Sequence, residues 1–362
     1  MAYEIDFMPV GTGTKSGDAI ALRRWDGPTP KNDNVVVLDG GTKESGDALV
    51  EHIRQVYGTD LVEAAICTHS DADHASGLTE VLENLKVGRL FMHQPWNHVE
   101  DLEDRLAKAS ITDDASRHFR KSLAHARDLE ALAKKKGIQI VEPFSDTIPA
   151  QVNFVILGPS TVFYEALLKN FRCVDELTGQ VNTLLQKILG APEKIVKWLE
   201  ETWDGENLLD PSPDDCSAEN NSSVILLLRD TRGSFLFTSD AGVPALDAAA
   251  DEAVRQTINL KSLTGIQVPH HGSKHNVGPT ILDRIIGPKL KSASFTKSAI
   301  VSASVDGAPK HPSRRVVNAL KRRGAEVLAT QGNAIRHSSV DAPIRPGWTR
   351  AVPLPFYDRD EE

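Results

Sequence analysis

The six residues His69-Ser70-Asp71-Ala72-Asp73-His74 constrain this 362-residue chain more than any other feature. They follow directly on Ala64-Ala65-Ile66-Cys67, an apolar run that reads as a buried strand. They precede Leu78, Val81, Leu82 and Leu85, which recur at helical spacing. A strand end followed by a tight loop holds side chains convergently, and imidazole with carboxylate suits divalent first-row metals. Taken alone, Asp73 also reads as a helix cap and the others as surface polar groups. Four ligand-type residues within six positions favour the metal reading.

The order around this loop is strand, helix, strand, loop, helix. Ile5, Phe7, Ile20 and Leu22 fall at period two, and Val35-Val36-Val37-Leu38 ends in Asp39-Gly40-Gly41. Leu49, Val50, Ile53 and Val56 share one helical face closed by Gly58. From Trp96 to Cys216 the texture changes. Phe119, Leu123, Ala126, Leu129 and Leu132 repeat at helical spacing, and Phe163 to Trp203 reads as helix again. Ile138–Val141 and Phe154–Leu157 read as strands between them. Strand character returns at Val224–Leu228 and Phe235–Phe237, joined through Asp230-Thr231-Arg232-Gly233, a hairpin signal. Strands at Ile266–Val268, Ala299–Ser302 and Glu326–Leu328 then alternate with helices, one starting at Pro312-Ser313. The expected organisation is a core of residues 1–95 and 215–345, a mainly helical insertion over 96–214 and a C-terminal tail over 346–362.

Composition narrows the function classes. With 40% apolar and 25% charged residues the chain can build a packed core. No apolar run reaches the roughly 18 residues of a membrane span, and the acidic start lacks the pattern of a signal peptide. Cys67, Cys173 and Cys216 are too scattered for a disulfide framework or a CxxC site. A cytoplasmic address without membrane contact is the expectation. Net charge is -9, yet Arg255 to Gly324 holds thirteen Lys and Arg against Asp283 and Asp306, a local +11 against -20 elsewhere. Such asymmetry either concentrates an anionic ligand or disperses over the folded surface.

The motif set resembles a known family. His69-x-Asp71-x-Asp73-His74 is similar to the HxHxDH signature of metallo-β-lactamase-fold hydrolases, with Asp in place of the second His. This variant looks most like the C-terminal domain of ComEC-type DNA-uptake proteins and their stand-alone relatives. Val10-Gly11 with Gly17-Asp18-Ala19-Ile20 resembles that domain's opening strand pair, and Val37-Leu38-Asp39-Gly40-Gly41 its next strand and turn. Asn220-Asn221-Ser222-Ser223-Val224, Phe237-Thr238-Ser239-Asp240, Val268-Pro269-His270-His271-Gly272-Ser273 and Lys310-His311-Pro312 follow in the right order. The resemblance covers about residues 5–95 and 215–340. It leaves the helices of 96–214 unexplained, and these read as a lobe that selects substrate or holds a protein partner.

The resemblance implies an α/β (α+β) fold, an αββα sandwich with metals at one edge. It implies His69 and Asp71 on a first divalent ion, Asp73 and His74 on a second, Asp240 bridging both and His270 completing the second. A water acidified by the two metals is the implied nucleophile, so the chain is expected to be a metallo-hydrolase. Asp39, Asn221, His271 and Ser273 are candidates to orient ligands or touch substrate. Asp73, Lys274 and His311 are candidates for catalysis, Lys274 and His311 by contacting an anionic group or protonating a leaving oxygen. The family's third histidine for the first metal is absent near Glu219-Asn220-Asn221, so that position is oxygen-rich and manganese competes with zinc. His93 and His98 are candidate substitutes, each also readable as a surface histidine. The expected substrate is an anionic phosphodiester, nucleic acid or nucleotide. A lactone, thioester or cyclic-amide hydrolase, and a non-catalytic interaction protein with a vestigial site, remain as alternatives.

Overall fold

The computed structural model describes residues 2–10, 16–27, 30, 34–99, 114–147, 154–171, 198–230, 233–305 and 311–361. The strands in chain order are β1 (Ala2–Phe7), β2 (Ala19–Trp25), β3 (Val35–Gly40), β4 (Leu61–Ile66), β5 (Lys86–Phe91), β6 (Gln139–Val141), β7 (Phe154–Gly158), β8 (Trp198–Glu200), β9 (Ile225–Asp230), β10 (Gly233–Phe237), β11 (Gly265–Gln267), β12 (Lys297–Val301), β13 (Ala325–Ala329), β14 (Ile335–Ser338) and β15 (Arg359–Glu361). The helices are α1 (Lys43–His52), α2 (Ala72–Ala75), α3 (Leu78–Asn84), α4 (Asp114–Lys136), α5 (Thr161–Leu168), α6 (Ala218–Asn221), α7 (Val243–Arg255), α8 (Pro279–Ile285) and α9 (Arg314–Arg322).

Two sheets carry the architecture. The first runs β14-β1-β2-β3-β4-β5-β6 and the second β13-β12-β11-β10-β9-β7. Alternation along each strand explains how they stack. In β3, Val36 and Leu38 face the core between the sheets, beside Phe7, Phe235 and Phe237. Val35 and Val37 face outward onto Leu49, Leu78 and Leu82 of α1 and α3. A strand buried on both faces reads as a continuous apolar run, as this one does. On the second sheet, Leu227, Leu236 and Ile266 turn outward to meet Leu246, Leu282 and Leu320 of α7, α8 and α9. The result is the four-layer αββα sandwich expected of a metallo-β-lactamase fold.

The stretch read as an insertion is more than helical decoration. Its β6 pairs in parallel with β5, and its β7 pairs antiparallel with β9, so each sheet ends on a strand from this stretch. The two helical passages fare differently. Residues 114–136 form one long helix, whereas the Phe163–Trp203 reading covers only α5 and the strand β8, with 172–197 outside the described residues. The Asp230–Gly233 hairpin is present, pairing Asp230 with Gly233, although Thr231 and Arg232 lie outside the described residues. The segment 346–361 is tied to the rest of the fold. Leu354 N–H donates to Val327 O, and β15 pairs with β8. No helix among the described residues is long and apolar enough to cross a membrane.

Candidate metal centre

The site lies where the C-terminal ends of β3 and β4 in the first sheet meet those of β10 and β11 in the second. Thr68 joins them. Its hydroxyl is 2.6 Å from Ser239 Oγ and donates to Asp39 Oδ2 at 2.6 Å, while its backbone N–H donates to Asp39 Oδ1 at 2.8 Å. The turns that carry these side chains are strained. Of the six described non-glycine residues with positive φ, four are here: Asp39, Ser239, His270 and His271. Each such backbone costs about 1–3 kcal/mol and persists only where its surroundings hold it. Gly272 continues the turn at φ 83°, where an added Cβ would stand 2.4 Å from Pro312 Cβ.

The metal loop is fixed by close backbone packing. At Gly77 a Cβ would lie 2.0 Å from Gly40 O and 2.4 Å from Thr42 O, so the β3 turn and the start of α3 touch through bare backbone. This contact sets α2 over the end of β3. Asp71 occupies the N-cap position of α2 without a side-chain cap bond, and Asp73 sits inside its first turn. The cap reading of Asp73 therefore does not describe its place.

Side chains from four loops converge. His69 Nε2 is 3.8 Å from Asp71 Oδ2 and 3.9 Å from Asp240 Oδ2. His74 Nε2 is 3.5 Å from Asp240 Oδ2, and His271 Nε2 is 3.8 Å from Asp240 Oδ1. Donor atoms within 4.8 Å of one another form the sets His69–His74–Asp240, Asp73–His74–His271 and Asp18–Asp240–His271. Separations of this size are too long for hydrogen bonds and suit donors sharing a cation at roughly 2.0–2.2 Å.

A metal ion fits this donor set. His69 Nε2, His74 Nε2, Asp240 Oδ1 and Asp18 Oδ1 are all buried without a hydrogen-bond partner, an arrangement that costs free energy unless something binds there. The tautomers agree. His74 Nδ1–H donates to Asp39 Oδ2 at 2.8 Å, and His271 Nδ1–H to Ser302 O at 2.8 Å. Each leaves Nε2 turned inward, the orientation metal-ligating histidines adopt. Electrostatics follow burial. Burial opposes charge on Asp240, yet the His270, His74 and His271 imidazoles hold its carboxyl well below the usual carboxylate range. Burial also disfavours the His74 imidazolium, but Asp240 and Asp39 outweigh it and hold that ring well above the usual histidine range. Burial pushes the Asp18 carboxyl up to about 7, with Asp240 and Asp39 adding to the rise against His74.

The expected residues divide into those at the cluster and those beside it. His69, Asp73, His74 and Asp240 contribute to the sets above, and Asp71 approaches His69. Of the His270-His271 pair, His271 joins two of the donor sets above, and His270, the expected last ligand, joins none of them. In this left-handed turn the second imidazole is driven into the buried cluster. His270 stays a third exposed at the rim, 3.7 Å from Asp240 Oδ2, with Nδ1 held by Asn276 Oδ1 at 2.9 Å. His311 lies beside this pair, its ring centroid 6.2 Å from His270 and 6.4 Å from His271. Asn221 turns away, donating to Cys216 O and Ser217 O, and Ser273 accepts from His275 N–H. Lys274 is exposed and lines a separate cleft with Leu209, Asp215 and Arg315, so the structure does not bring it to the cluster. His93 is buried against Phe144 and Tyr164 rather than on the surface, and His98 bonds Glu142 and Glu165. Neither joins a ligand set among the described residues. Asp18 and Asn276 escaped the sequence reading as site residues. Asp18 stood inside the quoted Gly17-Asp18-Ala19-Ile20 motif, the one signal that pointed to it.

No family model matches the chain. A stretch of 127 residues is 27% identical to ComE operon protein 3 of Bacillus subtilis (strain 168), covering 35% of this chain. The chain spans about 15% of that relative's length. Among solved structures, a metal-dependent hydrolase of the β-lactamase superfamily aligns over 92% of this chain and 98% of its own, at 12% identity and TM-score 0.43. A diphosphatase from the PhnP family aligns over 93% and 99%, at 11% identity and TM-score 0.37.

Proposed function

We propose that the protein is a hydrolase that depends on two divalent ions, zinc or manganese, and acts on a phosphodiester of a nucleotide or nucleic acid. The observation that carries this reading is the convergence of His69, Asp73, His74, Asp240 and His271, with His69 Nε2, His74 Nε2 and Asp240 Oδ1 buried and unpartnered. When bound, such ions activate water and neutralise charge on the oxygens around a displacement.

The chain's own residues supply the rest. Asp39 and Ser302 O engage Nδ1 of His74 and His271, so both Nε2 atoms turn inward, where they would bind metal. Asp240 stands between the imidazoles of His69, His74, His270 and His271, where an ionised carboxylate can serve two positions. His311 faces this cluster from the rim. Burial and the His270 charge press its pKa down to about 4, so its neutral ring offers one N–H to a substrate or leaving oxygen. The carboxylate-rich donor set favours hard ions and the phosphate oxygens they bind. Ala126, Tyr164 and Phe171 of the 96–214 lobe line a pocket with His69, and in this reading the lobe selects the substrate or holds a protein partner.

The test is metal analysis of the purified protein together with one substrate panel: bis-aryl phosphodiester, single-stranded DNA, cyclic nucleotide and lactone, each with Mn²⁺ and Zn²⁺. Metal-dependent turnover of at least one phosphodiester is expected. Turnover of the lactone alone overturns the substrate class, and a full chain that binds neither metal overturns the hydrolase.

A further inference from the structure

We propose that Asp18 is a ligand of the second metal position, making it a site of three carboxylates and two imidazoles suited to a hard divalent cation. This rests on the reading that the cluster holds metal. Asp18 precedes β2, on a loop far in sequence from the metal loop, and is 2% exposed. A carboxylate oxygen of Asp18 lies within 4.8 Å of donor atoms on both Asp240 and His271. Its Oδ1 is buried and unpartnered.

The nearest cationic group does not account for it. Asp18 Oδ2 is 3.7 Å from His74 Nδ1, but the single proton on that nitrogen goes to Asp39 at 2.8 Å. The approach is also built in. Asp18 N–H donates to Asp73 O at 3.3 Å, and a Cβ on Gly17 would lie 2.3 Å from that same oxygen. Ser16 Oγ accepts from Ser304 N–H, fastening the loop to the second sheet. The backbone of this loop is thus clamped against the metal helix on one side and the opposite sheet on the other, with the Asp18 carboxylate pointed at the cluster. A carboxylate placed there beside Asp39 and Asp240 is repelled by both unless a cation lies among them.

The consequence is a preference. The sets Asp73–His74–His271 and Asp18–Asp240–His271 meet at His271, and in this assignment Asp18, Asp73 and Asp240 would supply oxygen and His74 and His271 nitrogen, five donors in all. That number and that hardness favour Mn²⁺ over the four-coordinate, nitrogen- and sulfur-rich sets that suit Zn²⁺.

The experiment is Mn²⁺ titration of the full chain followed by electron paramagnetic resonance of free Mn²⁺, with Zn²⁺ affinity measured by chelator competition. Wild type, Asp18→Asn and Asp18→Ala are compared, and thermal melts are recorded with and without Mn²⁺. Expected is a loss of about tenfold or more in Mn²⁺ affinity at one of two positions for both variants, with a smaller loss for Zn²⁺. The metal-free melting temperature should hold or rise, while the increment on adding Mn²⁺ shrinks. Unchanged Mn²⁺ affinity and stoichiometry in both variants overturns the assignment. A lowered metal-free melting temperature with an intact Mn²⁺ increment gives Asp18 a purely structural place and overturns it as well. Wild-type protein that binds no Mn²⁺ or Zn²⁺ overturns the metal reading itself, a result distinct from the other two.

Discussion

At the scale of single residues, the ligand loop was readable because chemistry and spacing coincide in six consecutive positions. Asp39 was readable as a partner for a ligand histidine because it ends a strand beside the metal strand. The choice between His270 and His271 was not, since adjacent identical residues differ only through the two left-handed φ values that aim them. Asp73→Ala is expected to lose metal and most turnover while keeping its fold. The residue lies inside the first turn of α2, whose cap position Asp71 takes, and even a lost cap costs only about 0.5–2 kcal/mol; metal content and unfolding curves check this. Asp39→Asn should weaken metal binding about 10–100-fold, the usual effect of disturbing the group behind a ligand histidine. His93 has a different signature. Burial depresses its pKa to about 3, with His98 adding to the effect, whereas the unfolded chain titrates near 6.5. Its contribution is therefore complete above about pH 6.5 and lost progressively as pH falls toward 3. At pH 5 the loss is about 2 kcal/mol. Denaturant unfolding of wild type and His93→Phe at pH 8 and pH 5 checks this, with the variant expected to lose less on acidification.

At the scale of elements, periodicity located the strands that are buried on both faces and the hairpin between β9 and β10. It failed where strands are short or come from an unexpected part of the chain. Residues 138–141 and 154–157 read as strands, but nothing in a four-residue run says which sheet it will join. Their pairing with β5 and β9 depends on tertiary packing. The same limit hid β14, whose partner lies more than 300 residues earlier. The glycines at the β3 turn matter at this scale because they permit a backbone approach, a property no hydrophobic pattern reports. Gly77→Ala should force the β3 turn and α3 apart, since its Cβ would meet two carbonyl oxygens well inside contact distance. Overpacking of this kind costs about 1–3 kcal/mol or more. Thermal melts and metal titration together read it, and a variant with wild-type values in both would show that the contact is not needed.

At the scale of the whole molecule, the fold redistributes the charge that the sequence concentrates. Arg255 pairs with Glu252, Arg284 with Asp247 and Asp251, Arg315 with Asp360, Arg322 with Glu201, and Arg323 with Glu206 and Asp283. Most arginines of the basic segment are thus committed to acids, several of them from outside it. A strong field over that surface does not follow from the sequence count. If single-stranded DNA binds, its affinity should fall with salt at a slope shallower than about -3 in log–log terms, at about -0.7 per phosphate neutralised. Binding measured at several salt concentrations checks this, and a slope near -10 would restore a broad cationic face.

The pairing of β1 with β14, Glu4 opposite Ser338, carries a kinetic consequence. Strand β1 presents an open edge until β14, more than 300 residues later, has been made, and the segment after β14 then covers it, with Arg345 reaching Glu4 and Asp6. Contacts of such sequence separation slow folding and leave an exposed strand for other chains to find. Yield during synthesis should therefore depend on how long β1 waits for β14, and a donor cluster built where two stacked sheets meet inherits that delay before it is complete.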